Sequence, residues 1–196
     1  MKVTGVVGLD LSLTCTGFCR FDLHRLDHVM CPITTNVKQE PSVIKRAVAI
    51  AKAIRALICV DDVVFVEDYA FGIGKGSTGV TLGELGGIVK AVMMARTGFE
   101  PLTVNISEVR KFLCGDGGLK KDMIPREVMK RYKVEPKTHD ECVAFMVAKV
   151  GMAVMEFHAT GLPPDGAPQF QIQVLGQLMK KFDACLQALA KKAATA

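Results

Sequence analysis

The sequence predicts an α/β fold in which a mixed central sheet of about five strands is flanked by helices. Two observations lead to this prediction. Short apolar and β-branched runs fill the first 35 residues, and from Ser42 onward such runs alternate with segments of helical period. Because the first three runs follow one another through short, turn-prone connections, we expect neighbouring antiparallel strands at the start of the fold.

The individual elements follow from these patterns and from turn and capping residues. Strands are predicted over residues 3–9, 15–22 and 28–35, in the β-branched run that begins at residue 62, and over 101–107. Helices are predicted over residues 42–59, 81–96, 107–115, 123–134, 140–157 and 169–192. Ser42 is the expected cap of the first helix.

Chain length and one linker define the expected domain organisation. A chain of 196 residues fits one domain of ordinary size. The segment "GLPPDGAP" is expected to separate a main domain, residues 1–160, from a linker and amphipathic C-terminal helix, residues 161–196. We expect the apolar stripe of that helix to pack on the main domain.

Composition favours an intracellular, soluble protein. Lys and Arg outnumber Asp and Glu by 25 to 20, and this modest excess permits a polyanionic partner without demanding one. The apolar run near Met1 is interrupted by Asp10, which fits neither a signal peptide nor a membrane span. The 7 cysteines form no CxxC pair, so we interpret them as reduced thiols and predict a cytoplasmic location without a membrane partner.

Carboxylates follow apolar segments at three separate places in the chain. Asp10, Glu67 and Asp140, the last with Glu141 beside it, each lie at the boundary of an apolar segment, and the chain order would bring them together. A single such acid is more often a turn or cap residue, so the hypothesis rests on the three placements. Hard oxygen ligands favour Mg²⁺ or Mn²⁺. Two such ions about 4 Å apart can drive phosphodiester hydrolysis.

Four stretches of the sequence resemble a known family. "GLDLSLTCTGFC", "VFVEDYAFG", "ISEVRKFLCGDGGLKKDMI" and "HDECVAFMVA" are similar, in order and rough spacing, to the RuvC-type Holliday junction resolvases of the ribonuclease H-like superfamily. Phage-encoded members look closest. The resemblance covers roughly residues 3–151, and it implies a ribonuclease H-like fold and a crossover junction endodeoxyribonuclease. Such an enzyme acts as a homodimer on four-way junctions, here in a bacterial or phage-infected cell.

The resemblance also implies roles for individual residues. Asp10 would be the central metal-bridging acid, Glu67 the second ligand and Asp140 the third, with two Mg²⁺ ions, or Mn²⁺ as substitute, at each site. Lys121 matches the basic residue that lies near the scissile phosphate in the family, and Lys120 is its neighbouring rival.

One position departs from the family pattern. The family has acid-x-x-Asp-Ala at the start of the last helix of the nuclease domain, whereas "DECVA" places Val143 where the second acid belongs. Glu141 is the first candidate to replace that acid, and His139 is a weaker one. The alternative is a weakened or inactive metal site.

Basic and aromatic residues predict a DNA-binding surface. Most of the positive excess lies between residues 110 and 133, which suits contacts with backbone phosphates, although a solvated helix face is the plainer interpretation of any single residue. The candidate phosphate contacts are Lys75, Arg110, Lys111, Lys120, Lys121 and Arg126. Tyr69 and Phe71 are candidates for stacking on exposed bases, or else core residues. The loop "GIGKGSTG" lacks the P-loop ending, so no nucleotide cofactor is expected.

Other functions compete with junction cleavage. A ribonuclease H-like nuclease could use the same acids on RNA or hybrid substrates. A junction-binding protein that has lost catalysis is supported by Val143. An actin-like ATPase would need roughly twice this length. For the dimer, the Gly-rich helix 81–96 is the candidate interface, with packing on its own sheet as the alternative.

Overall fold

The computed structural model describes residues 3–68 and 77–195 and contains one five-stranded mixed sheet. The strand order is β3-β2-β1-β4-β5. The strands are β1 (Gly5–Asp10), β2 (Cys15–Asp22), β3 (His28–Thr34), β4 (Asp62–Glu67) and β5 (Leu102–Val104). The first three form an antiparallel meander, and β4 and β5 continue the sheet parallel to β1. The predicted mixed sheet is confirmed.

Helices cover both faces of this sheet. They are α1 (Val43–Leu57), α2 (Ser77–Thr97), α3 (Ile106–Cys114), α4 (Ile124–Tyr132), α5 (His139–Thr160) and α6 (Gln169–Thr195), with a 3-10 turn at Lys121–Met123. Because strand side chains alternate between faces, Val7 and Leu9 pack with α1 and α2, whereas Val6 packs with α3 to α6. Two hydrophobic cores therefore enclose the sheet.

The central helix α5 lies unusually close to the sheet. A Cβ atom at Gly8 of β1 would collide with the Ala144 carbonyl oxygen, and one at Gly17 of β2 with the Asp140 carbonyl oxygen. Glycine at both strand positions thus permits backbone-to-backbone packing. The start of α5 is thereby held against the end of β1. By length and composition α5 could also cross a membrane, but in this fold its apolar side chains fill the core against β1 and β2.

The C-terminal helix α6 shares the core on the α5 face of the sheet. Its buried side chains are Val174, Leu175, Leu178 and Phe182. Three side chains also hold the last carbonyls of α3: Gln171 donates to Phe112 at 2.7 Å, Arg131 to Cys114 at 2.9 Å, and Tyr132 to Leu113 at 3.4 Å. The linker after α5 therefore joins two helices of one core.

Candidate active site

Sheet topology brings the three predicted acids to one edge. Strands β1 and β4 are parallel with Leu9 opposite Val66, so the next residues, Asp10 and Glu67, end side by side. The close contact between β2 and α5 adds Asp140 from the first turn of α5. All three acids line a single cavity of about 620 Å³.

The two strand acids are half-buried at the cavity wall. Burial first, and then the charge of Glu67, raises the pKa of Asp10 to about 9, and Lys121 opposes this shift. Burial likewise raises the pKa of Glu67. The carboxyl groups of Asp10 and Glu67 are hydrogen-bonded to each other, and this contact contributes to the raised pKa of Asp10. Near neutral pH the pair therefore holds a proton where a cation could bind instead.

The donor set of the cavity fits a hard divalent cation. Within residues 3–68 and 77–195, no three His, Cys, Asp or Glu side chains lie close enough together to enclose a metal ion. Carboxylate oxygens from three separate elements are nevertheless the ligands that Mg²⁺ or Mn²⁺ prefers. A cation that replaced the proton held by Asp10 and Glu67 would compensate these charges.

Glu141 does not reach the cavity. Its carboxylate accepts hydrogen bonds from the backbone N–H groups of Lys137 at 2.7 Å and Thr138 at 2.9 Å, and the side chain of Thr138 caps the N–H of Glu141 in return. The residue is 2% exposed and forms a capping box at the start of α5. The prediction that Glu141 replaces the missing acid is therefore contradicted by its position.

His139 and Val143 occupy the cavity wall instead. They lie four residues apart on one face of α5 and both line the cavity with Asp140. Burial, followed by the charge of Lys121, lowers the pKa of His139, so a neutral imidazole is favoured. Neutral imidazole can act as a metal ligand. His139, unlike Glu141, lines the cavity, and its role as a metal ligand stays a prediction.

The predicted basic residues separate into three groups. Arg110 of α3 and Lys121 of the 3-10 turn line the cavity, whereas Lys111 and Lys120 do not. Arg126 lines a different surface groove with Lys130 and Lys133. The remaining predicted contacts lie outside the described residues: Tyr69, Phe71 and Lys75.

Sequence reasoning missed one cationic side chain in the cavity. Arg46 of α1 is absent from the predicted site residues, but it is 6% exposed and lines the cavity with Ser12 and Thr14. A signal was present, because Arg46 lies four residues before buried Ile50 and therefore on the core-facing side of α1.

Comparisons with known proteins support the fold. No family model and no curated protein sequence matches the chain. Thermus thermophilus RuvC superposes with a TM-score of 0.61 at 18% sequence identity, over 81% of this chain and 98% of that chain. T. thermophilus RuvC in complex with Holliday junction substrate superposes with a TM-score of 0.62 at 17% identity, over 81% of this chain and 96% of that chain. The fold is therefore RuvC-like, of the ribonuclease H-like class, as the sequence resemblance implied.

Proposed function

We propose that this protein is a metal-dependent, structure-selective endodeoxyribonuclease that cuts four-way junctions or other branched DNA. The observation that carries the proposal is the convergence of Asp10, Glu67 and Asp140 on one cavity that also contains Arg110 and Lys121. These side chains come from five different elements of a RuvC-like fold. Phosphodiester hydrolysis requires acidic side chains that bind a cation beside basic side chains that bind a phosphate.

The three carboxylates would hold Mg²⁺, or Mn²⁺ as its substitute, with two ions at each site as the family resemblance implies. Such ions activate a water molecule and stabilise the leaving oxygen. His139 offers a further nitrogen ligand from the same turn of α5 as Asp140. Val143 leaves the adjacent part of the wall apolar.

The chain's cations would orient the substrate. The charges of Arg110 and Lys121 both oppose the rise that burial causes in the pKa of Glu67, so these side chains act on the same small region as the acids. A backbone phosphate that entered between them would be held against the carboxylate cluster. The backbone of the DNA rather than its base sequence would be the feature recognised there.

We further propose that two copies act together in a bacterial or phage-infected cytoplasm. A four-way junction has twofold symmetry, which a homodimer matches with two symmetric sites. In α2, Gly83 and Gly87 lie one turn apart, and a Cβ at either would have no neighbour within 4 Å among the described residues outside the adjoining backbone of α2. This bare stripe would allow close approach of a second α2.

Junction cleavage tests the proposed function directly. A labelled four-way junction should be cut in the presence of Mg²⁺, and Asp10→Asn should abolish cutting while Asp27→Asn, a change at an exposed aspartate 56% accessible to solvent, should not. Cleavage that survives Asp10→Asn would exclude Asp10 as a catalytic residue. Faster cutting of a linear RNA–DNA hybrid by a monomer would favour the ribonuclease H-like alternative.

A junction-binding protein without catalysis is the second candidate, because apolar Val143 rather than an acid lines the cavity. Isothermal titration calorimetry separates the two functions. Binding of a junction without any binding of Mg²⁺ or Mn²⁺ would support the non-catalytic protein.

A further inference from the structure

Arg46 is a buried cation in the candidate active site, and no carboxylate among the described residues pairs with it. The side chain is 6% exposed, its Nη1 donates to the Leu13 carbonyl at 3.3 Å, and its Nε is buried with no hydrogen-bond partner in the part of the chain that the structure describes. None of the ion pairs among the described residues includes Arg46. A buried charge normally carries a compensating partner, because desolvation without one is costly.

The position of Arg46 is fixed by the turn between β1 and β2. The Ser12 N–H donates to the Thr16 hydroxyl at 3.1 Å, and that hydroxyl donates to the Ser12 carbonyl at 2.7 Å. The Leu13 carbonyl accepts from both Thr35 and Arg46. The turn is therefore bound at several points, and it holds the guanidinium group at the cavity wall.

The surroundings of Arg46 suit an anion. Its neighbours along this wall include the hydroxyl-bearing residues Ser12 and Thr14, whereas the acids of the cavity are accompanied by Arg110 and Lys121. The cavity thus offers cationic groups on α1, on α3 and on the 3-10 turn. A DNA strand with its scissile phosphate between Arg110 and Lys121 would occupy the same cavity that Arg46 lines.

We propose that Arg46 binds the backbone phosphate adjacent to the scissile phosphate on the cleaved strand. This inference rests on the proposed nuclease function. Guanidinium is suited to the task because it stays charged and donates several hydrogen bonds in one plane. The bound phosphate supplies a negative charge that Arg46 does not receive from any ion pair among the described residues. Arg46 thereby acts as a positioning residue for the strand.

Salt-dependent binding of a junction by matched variants tests the charge contact. In metal-free buffer, Arg46→Gln should weaken binding about tenfold and reduce the slope of log affinity against log salt by about 0.9, the contribution of one phosphate contact. Arg46→Lys should keep the slope. Arg96→Gln is the control, because Arg96 also donates to a backbone carbonyl and has an unpartnered buried Nε, yet it does not line the cavity.

A neutral substrate group tests the same contact without relying on the fold of a variant. Methylphosphonate at the phosphate adjacent to the scissile one should weaken binding by wild-type protein about as much as Arg46→Gln does, by about tenfold. The two changes together should cost no more than either alone. Full additivity, or an unchanged salt slope in Arg46→Gln, would show that Arg46 only supports the turn and would overturn the inference.

Titration with inorganic phosphate separates this inference from the proposed function. The Nε–H resonance of Arg46, assigned by its loss in Arg46→Lys, should shift on addition of phosphate, while that of Arg96 should not. If the resonance shifts but no junction is cut, the nuclease proposal fails and the anion site stands. If junctions are cut, but the Arg46 resonance does not shift and methylphosphonate does not weaken binding, the inference about Arg46 fails and the nuclease proposal stands.

Discussion

The two ends of the strand pair β1 and β4 surround their acids with opposite kinds of partner. Near the start of β4, Asp62 is held by Arg20 through two hydrogen bonds of 2.8 and 2.9 Å, by the Thr4 hydroxyl at 3.2 Å and by the Cys59 N–H at 2.8 Å. At the opposite end of the same strands, Asp10 and Glu67 lie beside each other, and burial raises the pKa of both. One acid is fully satisfied by the fold, and the other two are not.

The titration of neighbouring groups shows the same contrast. Beside Asp62, the backbone N–H of Arg25 is the main cause that lowers the pKa of Asp22 to about 2. At the other end, burial raises the pKa of Asp10 to about 9. Identical side chains on adjacent strands thus support stability at one end and remain open to a ligand at the other.

The largest predicted effect follows from neutralising the open end. Glu67→Gln should lower the rate of junction cleavage on the order of 10⁴-fold, since a metal-binding acid supports several kcal/mol of transition-state stabilisation. The metal-free protein should unfold at an unchanged or higher denaturant concentration, because a buried carboxylate is removed. Single-turnover cleavage and urea denaturation measure the two quantities. A loss of unfolding free energy as large as the loss of transition-state stabilisation would contradict the difference between the two ends of β1 and β4.

The matched change at the satisfied end should do the reverse. Asp62→Asn should lower the free energy of unfolding by about 3 kcal/mol, because Arg20 loses its charged partner in a buried site. Cleavage measured well below the melting temperature should stay within a few-fold of wild type. Urea denaturation beside the cleavage assay checks both, with Asp27→Asn as a control at an exposed aspartate.

The pH dependence of stability should reveal the open end in metal-free protein. The folded chain keeps a proton on Asp10 up to a pKa of about 9, whereas the ordinary value is 3.8. Between these values the folded state binds more protons than the unfolded state, so stability falls as pH rises, by at most about 1.4 kcal/mol per pH unit for one proton. Denaturation with a chelator from about pH 5 to about pH 8 measures the slope. Asp10→Asn should flatten it and Asp62→Asn should not.

The smallest predicted effect concerns Glu141. Glu141→Gln should lower the free energy of unfolding by about 1 kcal/mol, since it weakens the capping box of α5. Affinity for Mg²⁺, measured by calorimetry, should be unchanged. A tenfold loss of Mg²⁺ affinity would instead return Glu141 to the metal site that its hydrogen bonds now exclude.

Local patterns predicted most of the fold. Strand alternation indicated all five strands, and helical period indicated the helices. The strand that begins at residue 62 ends at Glu67, and α2 begins at Ser77 rather than at residue 81. The convergence of Asp10, Glu67 and Asp140 also followed from chain order. These features depend on short-range periodicity and on strands that end at a common edge.

The features that were missed depend on competition between partners. Glu141 was assigned to the metal because acids near a helix start can bind cations, but the N–H groups of Lys137 and Thr138 are closer partners. The pattern Thr-x-x-Glu was the signal for this outcome. Arg46 was missed because only the folded chain shows that it lines the cavity.

The anchored end of α3 connects the C-terminal helix to an element that lines the candidate site. The carbonyls of Phe112, Leu113 and Cys114 are each bound by a side chain from α4 or α6, and the turn that leads to Lys121 starts directly after them. Anyone shortening this protein should therefore keep α6 at least through Phe182. A cut within the linker would release Gln171 from Phe112 and would also remove Val174, Leu175, Leu178 and Phe182 from the core, so the end of α3 and the fold would be weakened together.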